Sequence, residues 1–177
     1  MATAIPAIAC LGVIGRNNNP LHTTILPTTT DPQTGRSAPL RTPLQFSLLL
    51  SSTLDIFESR ARHAVASNTL LSGDFGLLHA VDDRLAAYGF ETNTGVKFVA
   101  VVDMRGRILS GVKPAGTGGV SSPAVTAYVR LLQNPFYDPE EGAKAGQLQQ
   151  KRITSRRFAE EMRRIGDKWV PGGVNTL

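Results

Sequence analysis

The spacing of apolar positions along this chain changes several times, and each change marks an element. Ile8 to Ile14 is a near-continuous apolar run of strand length, followed by the turn formers Arg16-Asn17-Asn18-Asn19-Pro20. Leu21 to Leu26 carries the β-formers Thr23, Thr24 and Ile25, so the two segments read as a hairpin. From Phe46 the spacing becomes three and four: Phe46, Leu50, Leu54, Phe57, Ala61 and Val65 place one apolar stripe on a helix, with Glu58, Arg60, Arg62 and His63 mostly off it. Thr42-Pro43-Leu44-Gln45 supplies its start, with a capping Thr, a Pro in the first turn and a Gln at capping-box spacing. Its end is expected near Asn68 or Gly73.

Short β-rich segments follow at Phe75–Val81, Leu85–Thr92 and Val96–Val102. Asp82-Asp83 marks the first turn between them, and Asn93-Thr94-Gly95 the second, with Gly supplying a positive φ. Ser122-Pro123 opens another helix whose expected apolar side is Val125, Tyr128, Val129 and Leu132, and Asn134-Pro135 stops it. Phe158, Met162, Ile165 and Trp169 form the stripe of a last helix. The order β-β-α-β-β-β-α-α predicts an α+β fold, a five-stranded antiparallel sheet with helices on its faces.

Composition adds boundaries to this picture. The 177 residues suit a single domain, and the 17 Gly and 11 Pro demand loops in addition to a core. Pro27–Pro43, with four prolines, five threonines and no apolar period, and the Gly-rich Met104–Ser121 are expected to be flexible insertions at 27–43 and 104–121. The lone Cys10 allows no disulfide within the chain and no thiolate zinc site; it reads as a core thiol in a reducing compartment. No run reaches the roughly 18 apolar residues of a membrane span. Ala4–Ile14 resembles a signal-peptide core only in hydropathy, because no Lys or Arg precedes it, and it reads as a buried strand.

The net charge of +5 is concentrated at one end, where Lys151 to Lys168 holds seven basic residues against three acidic ones. Pairs at helical spacing, Glu160 with Arg164 and Arg157 with Glu161, are expected to neutralise part of it. No aromatic interleaves these arginines as a single-strand nucleic-acid binder requires, so the face reads as solvated, and as a patch it could equally meet an acidic protein surface.

Catalytic signatures are missing. Gly116-Thr117-Gly118-Gly119 lacks the Gly-Lys-Ser/Thr of a phosphate loop and does not directly follow a strand. His22, His63 and His79 show no ligand spacing, Asp82-Asp83 fits a turn, and no Gly-x-Ser-x-Gly occurs around Ser51-Ser52 or elsewhere. We therefore expect no enzyme, no metal and no cofactor.

Two stretches carry a specific resemblance. Tyr88 to Asp103 (Tyr-Gly-Phe-Glu-Thr-Asn-Thr-Gly-Val-Lys-Phe-Val-Ala-Val-Val-Asp) and Asn134-Pro135-Phe136-Tyr137-Asp138-Pro139 resemble the sedlin-like subunits of the TRAPP vesicle-tethering complex, in their subunit 2-like branch. Ile8–Asn17 and Thr53-Leu54-Asp55 extend the likeness. It implies a longin (profilin-like) fold and a non-catalytic adaptor that binds other small TRAPP subunits. Through the assembled complex the chain would act indirectly on a Rab-type GTPase in ER–Golgi and intra-Golgi transport. The protein would then be cytoplasmic and peripheral at those membranes, with no nucleic acid partner and no membrane span. Asp55 matches the Asp of the family's Ser/Thr-Leu-Asp motif and is a candidate partner contact. Asn134, Pro135, Phe136 and Tyr137 are further candidates, and also read as a helix stop with a buried aromatic lid. A longin-type regulatory domain of another trafficking system is the alternative; a small basic nucleic-acid binder ranks below it.

Overall fold

Alternation of apolar side chains on two strands organises the whole chain. The computed structural model describes residues 3–30, 35–66, 73–109, 121–137 and 152–169. Strand β1 (Thr3–Ile14) turns back into β2 (Pro20–Ile25) through Asn18, which takes the left-handed conformation at φ 59°. Two short strands, β3 (Thr29–Thr30) and β4 (Ser37–Ala38), pair with each other. Helix α1 (Pro43–Ala66) follows, then the meander β5 (Asp74–Ala80), β6 (Leu85–Glu91) and β7 (Lys97–Leu109), and finally helices α2 (Ser121–Leu132) and α3 (Arg156–Lys168). The main sheet is antiparallel throughout, in the order β2-β1-β7-β6-β5.

In β7, Phe98, Ala100 and Val102 pack into one core with Ile8, Leu11 and Val13 of β1 and with α2 and α3. Val99 and Val101 pack into the other, against Phe46, Leu50 and Phe57 of α1. A strand buried on both faces needs an apolar residue at every position, which is why Phe98–Val102 is apolar throughout. Helix α1 lies close enough to the sheet that a Cβ added at Gly89 would sit 2.5 Å from both Phe57 and Leu78.

Local signals match the expectations drawn from them. Thr42 and Gln45 form the reciprocal capping box, at 3.3 and 3.0 Å. Gly95 takes φ +80° in the β6–β7 loop. Asp82 accepts the backbone N–H groups of Arg84 and Leu85 at 2.8 and 2.7 Å, the Asx-type turn expected of Asp82-Asp83.

The differences lie where pairing is long-range. β1 begins at Thr3 and β7 continues to Leu109, because Thr3–Ile5 pairs with Arg107–Leu109. The first residues of the second expected insertion are therefore strand, and residues 110–120 fall outside the described residues. Within 27–43 the described residues include the β3–β4 ladder, and α1 begins at Pro43. The expected helix end near Asn68 and the polar stretch from 138 to 150 also lie outside them. Val65, expected on the core stripe of α1, is 76% exposed, and Thr53 is buried instead, its hydroxyl donating to the Leu50 carbonyl at 2.7 Å. On α2 the inward face is Ala124, Ala127, Tyr128 and Leu131, with Val125 partly buried beside it, while Val129 and Leu132 face solvent.

Candidate interaction surfaces

The five candidate residues divide between opposite faces of the sheet. Asp55 lies on the solvent side of α1, exposed, on a row formed by Leu44, Leu48, Ser51, Asp55, Glu58, Arg62 and Val65. Steps of four and three residues put all seven on one side of the helix. The ends of the row are apolar and its middle is polar. Glu58 holds Arg62 at 3.2 Å, and the side-chain amide of Asn18 reaches Glu58 at 3.4 Å. One residue inward from Asp55, Leu54 borders a groove of about 220 Å³ between α1 and the edge strand β2, with Ile14, Thr23, Ile25 and Leu50 contributing apolar wall.

Asn134 to Tyr137 sit beyond α2, on the other side. Asn134 shapes the turn: its side-chain oxygen accepts the Phe136 N–H at 3.2 Å, and its carbonyl accepts the Tyr137 N–H at 3.0 Å. Tyr137 packs on the core beside Tyr128, and burial, helped by the neighbouring Tyr128, pushes its phenol up to about 12. It is the aromatic lid. Phe136 is not part of that lid, since the turn projects it outward at 95% exposure; Asn134 and Pro135 are exposed as well.

The basic last helix pairs differently from its expected spacing. Glu160 takes Arg156 at 2.9 Å, and Glu161 takes Arg130 of α2 at 2.7 Å and lies 3.7 Å from Arg164. Helix–helix packing brings Arg130 onto Glu161, so the pairing follows tertiary neighbours as well as the i, i+4 rule. His63 and His79 are exposed, whereas His22 is half-buried with its ring edge-on to Phe158. Cys10 is fully buried, and burial raises its thiol to about 12, as befits a core residue.

Residues that the sequence did not single out also shape these surfaces. Leu44 and Leu48 fall off the core stripe of α1, and that misfit was their one available signal. Val129 and Leu132 look like core residues in any window of sequence. Among the described residues, no group of three or more His, Cys, Asp and Glu comes together, and no helix is long and apolar enough to cross a membrane.

Among the described residues, a five-stranded antiparallel sheet carries one long helix on one face and two shorter helices on the other, the longin-like arrangement. Comparison with known proteins narrows the class. The sequence pattern of the sedlin family matches residues 13–168, and this chain belongs to the sedlin family. A Dictyostelium discoideum protein named trafficking protein particle complex subunit 2-like protein is 26% identical over 157 residues, covering 88% of this chain and 93% of that one. Proteins of the same name from Mus musculus and Xenopus tropicalis are 28% identical over 134 residues and 29% over 133, covering 73% of this chain and 83% of theirs.

Proposed function

We propose that this chain is a non-catalytic adaptor subunit of a TRAPP-type vesicle-tethering complex. In that role it binds other small subunits of the complex from the cytoplasm, peripherally at Golgi and ER-derived membranes. Its influence on a Rab-type GTPase is indirect, through nucleotide exchange by the assembled complex. The observation that carries this reading is the alignment, over most of both chains, with relatives named as subunits of the trafficking protein particle complex.

The outward face of α1 supplies the contact. An exposed carboxylate at Asp55, with the solvent-facing Leu48 and Leu44 about two and three turns before it on the same side of the helix, offers a partner apolar area and one directional charge. Asp55 is exposed and, among the described residues, no hydrogen bond or ion pair holds its side chain, so its substitution separates binding from folding.

Co-expression with candidate small TRAPP subunits, followed by size-exclusion chromatography, tests the reading. The wild-type chain is expected to co-elute with at least one of them. Asp55→Arg is expected to keep its thermal midpoint and to weaken that association about tenfold, a loss of about 1.4 kcal/mol. Failure to co-elute with any small subunit while folded would overturn the adaptor assignment. Unchanged association of Asp55→Arg would remove the α1 face from it.

A further inference from the structure

One transverse row of the sheet shows where its helical cover stops. The strand registers place Thr24, Leu11, Ala100, Tyr88 and Leu77 side by side across β2, β1, β7, β6 and β5. Their exposures run 8%, 2%, 7%, 38% and 46%. Leu11 and Ala100 belong to the core beneath α2 and α3, so the row faces that side, and the cover ends between β7 and β6. The opposite face has no such step. Under α1, Cys10, Val101 and Ala87 are fully buried, and Leu78 of β5 is buried with them.

Helix packing explains the step. α3 lies on β1 and β2, and α2 lies on β7 beside α3. Strands are spaced about 4.8 Å apart and packed helices about 8–10 Å, so each helix covers roughly two strands. Two helices therefore reach from β2 to β7 and leave the width of one more helix over β6 and β5. The side of α2 away from α3 borders this strip. It carries Val125, half-buried against the core, then Val129 and Leu132 at 44% and 40% exposure, at steps of four and three. Arg130, the one charged residue of α2, points the other way, to Glu161 of α3. Phe90, opposite Phe98 on β7 and half-buried against the same core, joins the floor of the strip to its wall.

We propose that this strip seats an amphipathic helix of a partner protein, lying beside α2 as the third helix of the layer. Its apolar stripe rests on Leu77 and Tyr88 and abuts Val129 and Leu132. These four carry no charge, so the buried side of the occupant is apolar. An added strand is disfavoured, because the β5 edge is broken by two register shifts and Arg60 already holds the Phe75 and Leu77 carbonyls. An anionic bilayer would find a recessed floor with no Lys or Arg among the residues that shape it. A second copy of this chain offers no matching helix among the described residues. The outermost side of α2 presents Ser122, Thr126 and Arg130, that of α1 places Asp55, Glu58 and Arg62 between its leucines and Val65, and that of α3 is charged. The inference goes beyond the α1 reading, since the strip lies on the face of the sheet opposite Asp55 and both surfaces can be occupied at once.

The test uses the full chain and a fluorescein-labelled helical peptide with Leu and Ala along one side and paired Glu and Lys along the other. A peptide of the same composition with the stripe scrambled, and phosphatidylcholine vesicles with and without phosphatidylserine, serve as comparisons. Fluorescence anisotropy is expected to show binding of the striped peptide that added salt leaves unchanged, and about tenfold weaker binding of the scrambled one. Leu77→Lys and Val129→Lys, on different elements and both at exposed positions, should each weaken binding about fivefold or more while circular dichroism stays unchanged. Should one of them disturb folding, the other carries the test. Asp55→Arg should bind the peptide as the wild type does, so loss of the α1 contact and loss of this one are read separately. No binding of the striped peptide, equal binding of the scrambled one, insensitivity to both variants, or binding only to the anionic vesicles would overturn the proposal. So would a concentration-dependent dimer of the chain that Leu77→Lys dissociates.

Discussion

Asp103 is completely buried at the point where β7 passes the β5–β6 turn, and Arg84 meets it with two hydrogen bonds, Nε to Oδ1 and Nη2 to Oδ2, both at 2.7 Å. The Arg105 N–H donates to the same carboxylate at 3.0 Å, and Arg84 reaches on to the Thr29 hydroxyl at 3.3 Å. One pair thus ties the sheet to the segment between β2 and α1. A buried carboxylate that loses its cation is costly, whereas replacing both partners by apolar groups is much less so. Arg84→Met is accordingly expected to lower stability by about 3 kcal/mol, at the low end for buried pairs because part of the guanidinium sees water. Adding Asp103→Leu should recover most of the loss; urea denaturation of the two variants measures both effects. Nothing local along the chain announces this pair. Arg84 lies in the β5–β6 turn and Asp103 nineteen positions later in β7, and only the register of β6 against β7 brings them together.

At the scale of elements, the exposed edge of β5 shows how α1 does more than cover the sheet. β5 is an edge strand broken by two register shifts, with Gly76 at φ +59°. Arg60 of α1 donates to the carbonyls of Phe75 and Leu77 at 2.5 and 2.6 Å, so the edge presents an already occupied backbone. Arg60→Ala is expected to lower stability by about 1–2 kcal/mol and to raise self-association, read by static light scattering during mild heating. Elements and their order were largely legible, because capping boxes, turn residues and strand periodicity are local. The helix faces were legible in part. On α2, Ala124 and Ala127 take the inward positions, and alanine registers weakly beside Val129 and Leu132, which carry stronger hydropathy but face water. The interaction candidates were visible as motifs, yet that Asp55 and Phe136 lie on opposite faces follows only from the folded sheet.

For the molecule as a whole, the joint between the N-terminal hairpin and α3 sets how stability responds to acid. The half-buried His22 ring packs against Phe158, and its Nε2 lies 2.9 Å from the Thr24 hydroxyl. Burial, and then the charge of Arg152, hold its pKa below the ordinary 6.5, while a hydrogen bond with the Ile153 backbone pulls the other way. The unfolded chain therefore binds the proton more readily. Stability from this site is complete above the unfolded value and is lost as pH falls through the lower folded one. Thermal midpoints at neutral pH and at about pH 5 should fall more in the wild type than in His22→Gln. The same joint has a consequence for synthesis. β1 gains one neighbour immediately, in β2, but its other neighbour is β7, and its outer face is closed by α3, with Ile153 bonded to Leu21 at 2.9 Å. At about 5–20 residues per second, a ribosome leaves the most apolar strand of the chain half-paired for several seconds before residues 97–109 emerge, and longer before 156–168 do. The nascent hairpin is thus the part of this chain that waits longest for its cover, and a chain halted before α3 would leave the α3-facing side of β1 open to water.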